Sequence, residues 1–278
     1  MTTPIVMTIA GTDSGGGAGV QADLKTFQEL GAFGTSTITA VTAQNTNGVH
    51  GVQAIDPSMI EKQMRAVLDD LQPTAAKTGM LFSAEIIETV AQTLRHTDLQ
   101  LVIDPVMIAK GGASLLQQEA IDALKTSLVP LATIITPNIP EAEVLANMKI
   151  ETTDDIHVAA QRILALGAQA VIIKGGHARN TEYAEDFIFI DGQTPYTLQT
   201  PRIQTPHTHG TGCTFSAAIA AELAKGASIE EAIFIGKVFI QSAIQKGLGI
   251  GNEHGPTNHW AFHAIGEDVK RDVVRRDA

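Results

Sequence analysis

The chain has 278 residues, 44% of them hydrophobic, and a formal net charge of −11 at neutral pH. That length allows one large α/β domain or two smaller ones, and the acidic balance argues against nucleic acid as the main partner. A lone cysteine excludes an intrachain disulfide, no CxxC pair points to zinc, and no apolar run approaches the ~20 residues that span a bilayer.

Met1-Thr2-Thr3 leads straight into an apolar run, with neither a basic n-region nor a cleavage signal, so a soluble cytoplasmic protein with no membrane partner is the default expectation. Ile5 to Ala10 reads as a strand ending in the glycine-rich turn Gly11 to Gly19. A helix follows, with Val20, Leu24, Phe27 and Leu30 on one face and Gly31 as its stop. Thr35 to Thr42 is rich in β-branched residues and reads as one strand, and Val49 to Ile55 as another. Pro57-Ser58 opens a helix, Ala75 to Met80 is a strand end, and Ile86 to Leu94 is helical. Leu99 to Pro105 is a buried strand with Asp104 at its end. A helix around Ala120 to Leu128 and the strand Thr133 to Thr136 lead to Pro137-Asn138-Ile139-Pro140-Glu141.

Thr153 or Asp154 caps the next helix, which Gly167 ends, and Ala170 to Lys174 is the following strand. Asp191-Gly192 joins Phe187–Ile190 to Tyr196–Leu198 as a hairpin. His207 to Cys213 runs into a helix stopped by Gly226, and Ser228 with Glu231 forms a capping box for a last long helix. The basic residues Lys270, Arg271, Arg275 and Arg276 mark a solvated helical tail over about 264–278.

Strands and helices alternate, and the strands are continuous apolar runs. This pattern predicts a mostly parallel central sheet covered by helices on both faces, within a single domain spanning 1–278. In such folds ligands bind at the carboxyl ends of strands. Asp13, Gln44, Lys77, Asp104, Asn138, Glu141, Lys174 and Cys213 all fall at that edge.

The stretch Gly210-Thr211-Gly212-Cys213 carries the strongest chemical signal. Its glycines let the backbone approach a ligand, and a helix start offers unpaired N–H groups and a positive dipole end, a ready anion site. Cys213 would sit in that field, where thiol pKa values fall. No GxxxxGK[ST] phosphate loop occurs. Gly17 to Ala22 fits GxGxxA, but no carboxylate lies between Glu29 and Asp56 to hold a ribose, so a dinucleotide site fails its second requirement.

Five segments in unbroken order carry a resemblance: Ala10 to Asp23 (AGTDSGGGAGVQAD), Ala43-Gln44-Asn45-Thr46, Thr136 to Ala142 (TPNIPEA), Ile173 to His177 (IKGGH) and His207 to Cys213. They resemble the hydroxymethylpyrimidine/phosphomethylpyrimidine kinases of thiamine biosynthesis, in the ribokinase-like group, from about residue 5 to Gly255-Pro256-Thr257-Asn258-His259. The resemblance implies ATP-dependent phosphorylation of the pyrimidine hydroxymethyl group and then of the monophosphate, with Mg2+ and a homodimer. It implies that Gln44 holds the ring edge, that Gly11, Met80 and Val106 line the pocket, and that Asp23 contacts its polar side. Asn138 and Glu141 would lie near the magnesium, Asp104 and Lys174 would face the triphosphate with Asp104 also a metal candidate, and Gly210, Thr211, Gly212 and Cys213 would form the anion hole. Lys237 is a weaker candidate beside the nucleotide.

Where the wider ribokinase group carries Asp as base, this chain has Cys213, so a lowered thiol pKa is expected if it takes the hydroxyl proton late. Plainer readings stand beside these. Cys213 could be a small buried helix residue, Asn138 and Glu141 could only start a helix, and His177, His207 and His209 are loop hydrogen-bonders rather than metal ligands. Two rivals follow: a pyridoxal kinase, against which Ala109 stands where such kinases carry a second cysteine, and a non-catalytic binding module for a thiamine precursor.

Overall fold

The computed structural model describes residues 2–107, 117–175 and 182–278; Ala109 and His177 lie outside the described residues. Its spine is a nine-stranded sheet in the order β11-β10-β9-β8-β7-β6-β5-β1-β2. Six strands run parallel: β1 (Ile5–Ala10), β2 (Phe33–Ile38), β5 (Ala75–Thr78), β6 (Gln100–Ile103), β7 (Ile134–Ile135) and β8 (Ala170–Lys174). The other three continue one end antiparallel: β9 (Tyr183–Ile190), β10 (Tyr196–Pro201) and β11 (Val274–Asp277).

The lack of polar alternation in the parallel strands has a direct cause, since each face meets its own core. Met7, Ile9, Leu101, Ile103, Val171 and Ile173 pack into one cluster with α2 (Pro57–Asp70), α3 (Ala84–Leu94), α5 (Ile139–Ala146) and α6 (Thr153–Leu164). Val6, Val102, Ala170 and Ile172 pack into the other, with α1 (Gly19–Glu29), α7 (Thr211–Ala224) and α8 (Ile229–Gln245). α4 (Gln118–Ala123) runs on through a π turn and a 3-10 turn to β7. α7 is buried from Thr214 to Leu223, the state a helix reaches when it is apolar all round. Gly236 of α8 lets it come close, because a Cβ there would lie 2.8 Å from the Ile219 side chain.

Three local expectations change. The predicted strand Thr35 to Thr42 is split: β2 stops where its partner β1 runs out, at the Ala10–Ile38 pair. The chain then leaves the sheet, and β3 (Ala40–Asn45) pairs antiparallel with β4 (Gly48–Ala54) as a separate ribbon. Propensity was right for both halves, and the ladder decided the break. The cap of α6 is Thr152, in a reciprocal box with Asp155, one residue earlier than predicted. The Ser228 helix is not the last; α9 (Ala261–Asp272) follows, and the basic end is part helix and part strand. In β11 Arg275 stacks 3.8 Å over the Tyr196 ring and reaches Glu230, so these charges guard a sheet edge. Among the described residues no helix is long and apolar enough to cross a membrane.

Candidate active site

All eight polar residues predicted at the strand ends line one cavity of about 620 Å³, together with Gly11, Met80, Val106, Lys237 and Gly210 to Cys213. The cavity floor is the start of α7. Gly210 takes φ +79 at the cap, and a Cβ there would lie 1.7 Å from the Gly17 carbonyl oxygen, so only glycine lets the two loops meet. No side chain caps this end; the Thr211 amide donates to the Thr208 carbonyl at 3.4 Å, which leaves the amides of Gly212 and Cys213 as the ones a ligand can take.

Directly before those amides stands a charge pair: a Cβ at Gly212 would meet Asp104 Oδ2 at 3.3 Å and Lys174 Nζ at 3.4 Å. Lys174 Nζ donates to Asp104 Oδ1 at 3.0 Å. Burial works against the lysine's charge, but Asp104 and Glu141 together hold its ammonium pKa above the usual value. Asn138 and Glu141 do start α5, as a capping box with each side chain accepting from the other's backbone N–H at 2.9 Å. They also face the cavity, so the structural and the functional readings of this pair coexist. Burial pushes the Glu141 carboxyl up to about 7, against the pull of Lys174 and with a push from Asp104.

Cys213 departs from expectation. Burial pushes its thiol up to about 11, outweighing Lys77, and Asp23 and Asp104 act in the same direction. The lowered pKa predicted from the helix end is therefore not found; desolvation and two nearby carboxylates exceed the dipole.

Asp23 also departs. It is fully buried and not part of the cavity wall; its carboxylate accepts from Lys77 Nζ at 2.9 and 3.0 Å and from Thr8 Oγ1 at 2.6 Å. The cavity contact on that side belongs to Lys77; burial opposes its charge, and Asp23, Cys213 and Asp104 together outweigh that and hold its pKa above the usual value. Lys237 is likewise committed, to Asp186 Oδ2 at 2.7 Å and the Ala184 carbonyl. Nothing in the sequence singled out Asp186; the available signal was a carboxylate directly before the apolar run Phe187 to Ile190.

At the opposite wall, Gln44 sits on the β3–β4 ribbon at a bulge between Ala43 and Gln44, a device that re-aims a side chain. Gly11 leaves room for Met80 beside it, since a Cβ on Gly11 would lie 2.4 Å from the methionine methyl. The loop Asp13 to Ala18 folds on the Asp13 carboxylate, which accepts from the amides of Gly15, Gly17 and Ala18. His209 meets the same carboxylate at 2.8 Å. Among the described residues no cluster of three or more acidic, histidine or cysteine side chains could hold a metal by itself.

A parallel α/β sheet with a buried helix offering free amides to an ammonium–carboxylate pair defines a ribokinase-like phosphotransferase. The comparisons narrow this. The model of the phosphomethylpyrimidine kinase family matches residues 13–258, and the chain belongs to that family. It is 55% identical over 263 residues to the hydroxymethylpyrimidine/phosphomethylpyrimidine kinase of Haemophilus influenzae, covering 94% of this chain and 98% of that one. The Bacillus subtilis kinase of the same description is 53% identical over 257 residues, with 92% and 94% covered. The structure of pyridoxal kinase from Staphylococcus aureus with AMP-PCP and pyridoxal superposes with a TM-score of 0.90 at 38% identity, over 100% of both chains.

The Lys77–Asp23 pair yields a stability prediction. Lys77→Met strands a buried carboxylate and should cost roughly 3–5 kcal/mol, whereas Lys77→Met with Asp23→Leu should recover most of it. Urea unfolding midpoints of the two variants and the parent check the ordering.

Proposed function

We propose that this protein transfers a phosphoryl group from ATP to the hydroxymethyl oxygen of 4-amino-5-hydroxymethyl-2-methylpyrimidine, and then phosphorylates the monophosphate to the diphosphate. The observation that carries the reading is one cavity lined by Gly210 to Cys213 at a helix start, by the Lys174–Asp104 pair and by Gln44. An amide side chain offers a donor and an acceptor, the pair an aminopyrimidine edge needs. Gly11, Met80 and Val106 enclose the ring. Lys174 and the first-turn amides of α7 neutralise the oxygens of the migrating group, the larger part of catalysis where the transition state is loose. Lys237 and Asn138 lie on the nucleotide side.

Glu141 and Asp104, two carboxylates on the cavity wall, fit Mg2+ held mainly through water and phosphate oxygens, the usual manner for that ion. Bound there, the ion would supply charge neutralisation on the triphosphate. Cys213 takes the hydroxyl proton from its minor thiolate form, a stronger base for having a raised pKa. A homodimer and a cytoplasmic location belong to the same reading and rest on the family alone. The S. aureus structure favours pyridoxal as the second substrate to test.

Incubation with Mg-ATP and either alcohol, followed by ADP release, tests the function: turnover with the aminopyrimidine should exceed that with pyridoxal, and the reverse order would transfer the assignment. Because the thiol pKa lies near 11, the thiolate fraction grows with pH throughout the working range. Log kcat should therefore rise with pH from 7 to 9, and Cys213→Ala should lose both this slope and about 10²–10⁴ in rate; a flat profile in the parent removes the base role. Glu141 ionises near pH 7, so at subsaturating Mg2+ the rate should fall as pH drops below 7. Glu141→Gln should abolish that acid limb and raise the Mg2+ concentration for half-maximal rate about tenfold, as read from metal titrations.

A further inference from the structure

Gln44 is gripped from both sides by the loop that follows β1. Its backbone N–H accepts no freedom: it donates to Ser14 Oγ at 2.8 Å, and the Ser14 hydroxyl donates to the Gln44 carbonyl at 2.7 Å. Its side-chain Nε2 is placed 3.4 Å from His209 Nε2, the same nitrogen that stands 2.8 Å from Asp13 Oδ2; the two ends of an amide are told apart only by their hydrogen bonds. The Asp13 carboxyl is held below the usual range: burial opposes its charge, but His209 and the amides of Gly15 and Ala18 outweigh that. A carboxylate can only accept, so His209 Nε2 must carry the proton and donate it. That nitrogen then has no lone pair for an amide N–H. The two ends of a glutamine amide are interchangeable in shape, and the end favoured against an N–H is the carbonyl oxygen.

We infer that Asp13 and His209 set which way round the Gln44 amide stands, the reverse of the labelling above: its oxygen toward the imidazole, with a second lone pair left for the 4-amino group, and its NH2 toward the ring nitrogen. His209 is thereby a positioning residue for substrate choice. This rests on the proposed function, in which Gln44 reads the pyrimidine. An NH2 presented to the ring selects an acceptor, the unprotonated ring nitrogen beside the 4-amino group. The 4-oxo analogue carries N–H at that nitrogen, and two donors then oppose each other. Without the histidine the amide can turn over and accept from the analogue.

The test is the ratio of kcat/KM for 5-hydroxymethyl-2-methyl-4-aminopyrimidine over its 4-oxo counterpart in the parent, His209→Leu and His209→Gln. The leucine variant should lose roughly tenfold or more of the parent's preference, the size of one misdirected hydrogen bond in a specificity site. The glutamine variant, which restores a donor near Nε2, should keep most of it. A general structural defect lowers both rates together and leaves the ratio alone; that result overturns the inference. If the leucine variant does not fold, His209→Asn, whose amide is too short to reach Asp13 and Gln44 together, gives the same readout with the same two outcomes. A parent that phosphorylates the aminopyrimidine with an unaltered ratio in the variants sinks only the role of His209. A parent that phosphorylates neither pyrimidine sinks the proposed function and this inference with it.

Discussion

Everything in the site hangs on the end of α7. A helix buried from Thr214 to Leu223 cannot move its N-terminus without disturbing the core it fills, so its free amides are fixed in space by packing rather than by any cap. The contact that aims them is backbone on backbone, Gly210 against the Gly17 carbonyl, at a separation that admits no side chain. Pre-set donors of this kind do not need to reorganise when charge develops, which is where most of their worth lies.

Around that end the charges are arranged in two tiers. Lys77 and Asp23 neutralise each other entirely within the protein. Lys174 has two carboxylate neighbours, Asp104 and Glu141, and bonds only the first. Glu141 is left without a bonded cation, and burial, with a smaller push from Asp104, raises its pKa to about 7. The cavity therefore offers carboxylate oxygens to a cation beside a helix end that offers amides to an anion. A metal–phosphate unit satisfies both at once, which neither free ion would do.

The sequence carried the architecture well because burial on two faces leaves a plain mark: apolar runs in β1, β6 and β8, with no charged residue before their ends. Asp104 and Lys174, the charges at the ends of β6 and β8, were legible for that reason, whereas Arg202 after β10 was not. What escaped depended on facts that no window of sequence contains. Asp23 has the right type for a substrate contact, but one turn of α1 takes it beneath the wall, where Lys77 claims it. Cys213 stands at a helix start, yet its thiol responds to burial and to carboxylates that are neighbours only in space. The break at Thr39 followed from the length of β1, and the role of Asp186 from a lysine on α8.

The division between the sheet and the β3–β4 ribbon bears on how such a protein acquires its substrate. In the proposed reading transfer is handled by Asp104, Glu141, Lys174 and the start of α7. In the same reading ring recognition falls to Gln44, carried on a ribbon that pairs only with itself and is tied down by Ser14, Asp13 and His209. A change of ring therefore requires altering a few side chains at the mouth, with no disturbance to the phosphate end. That separation accounts for a pyridoxal kinase and this chain sharing the fold over their full lengths at 38% identity. It also explains why the fold alone cannot name the alcohol: the discriminating contacts lie outside the element that defines the fold.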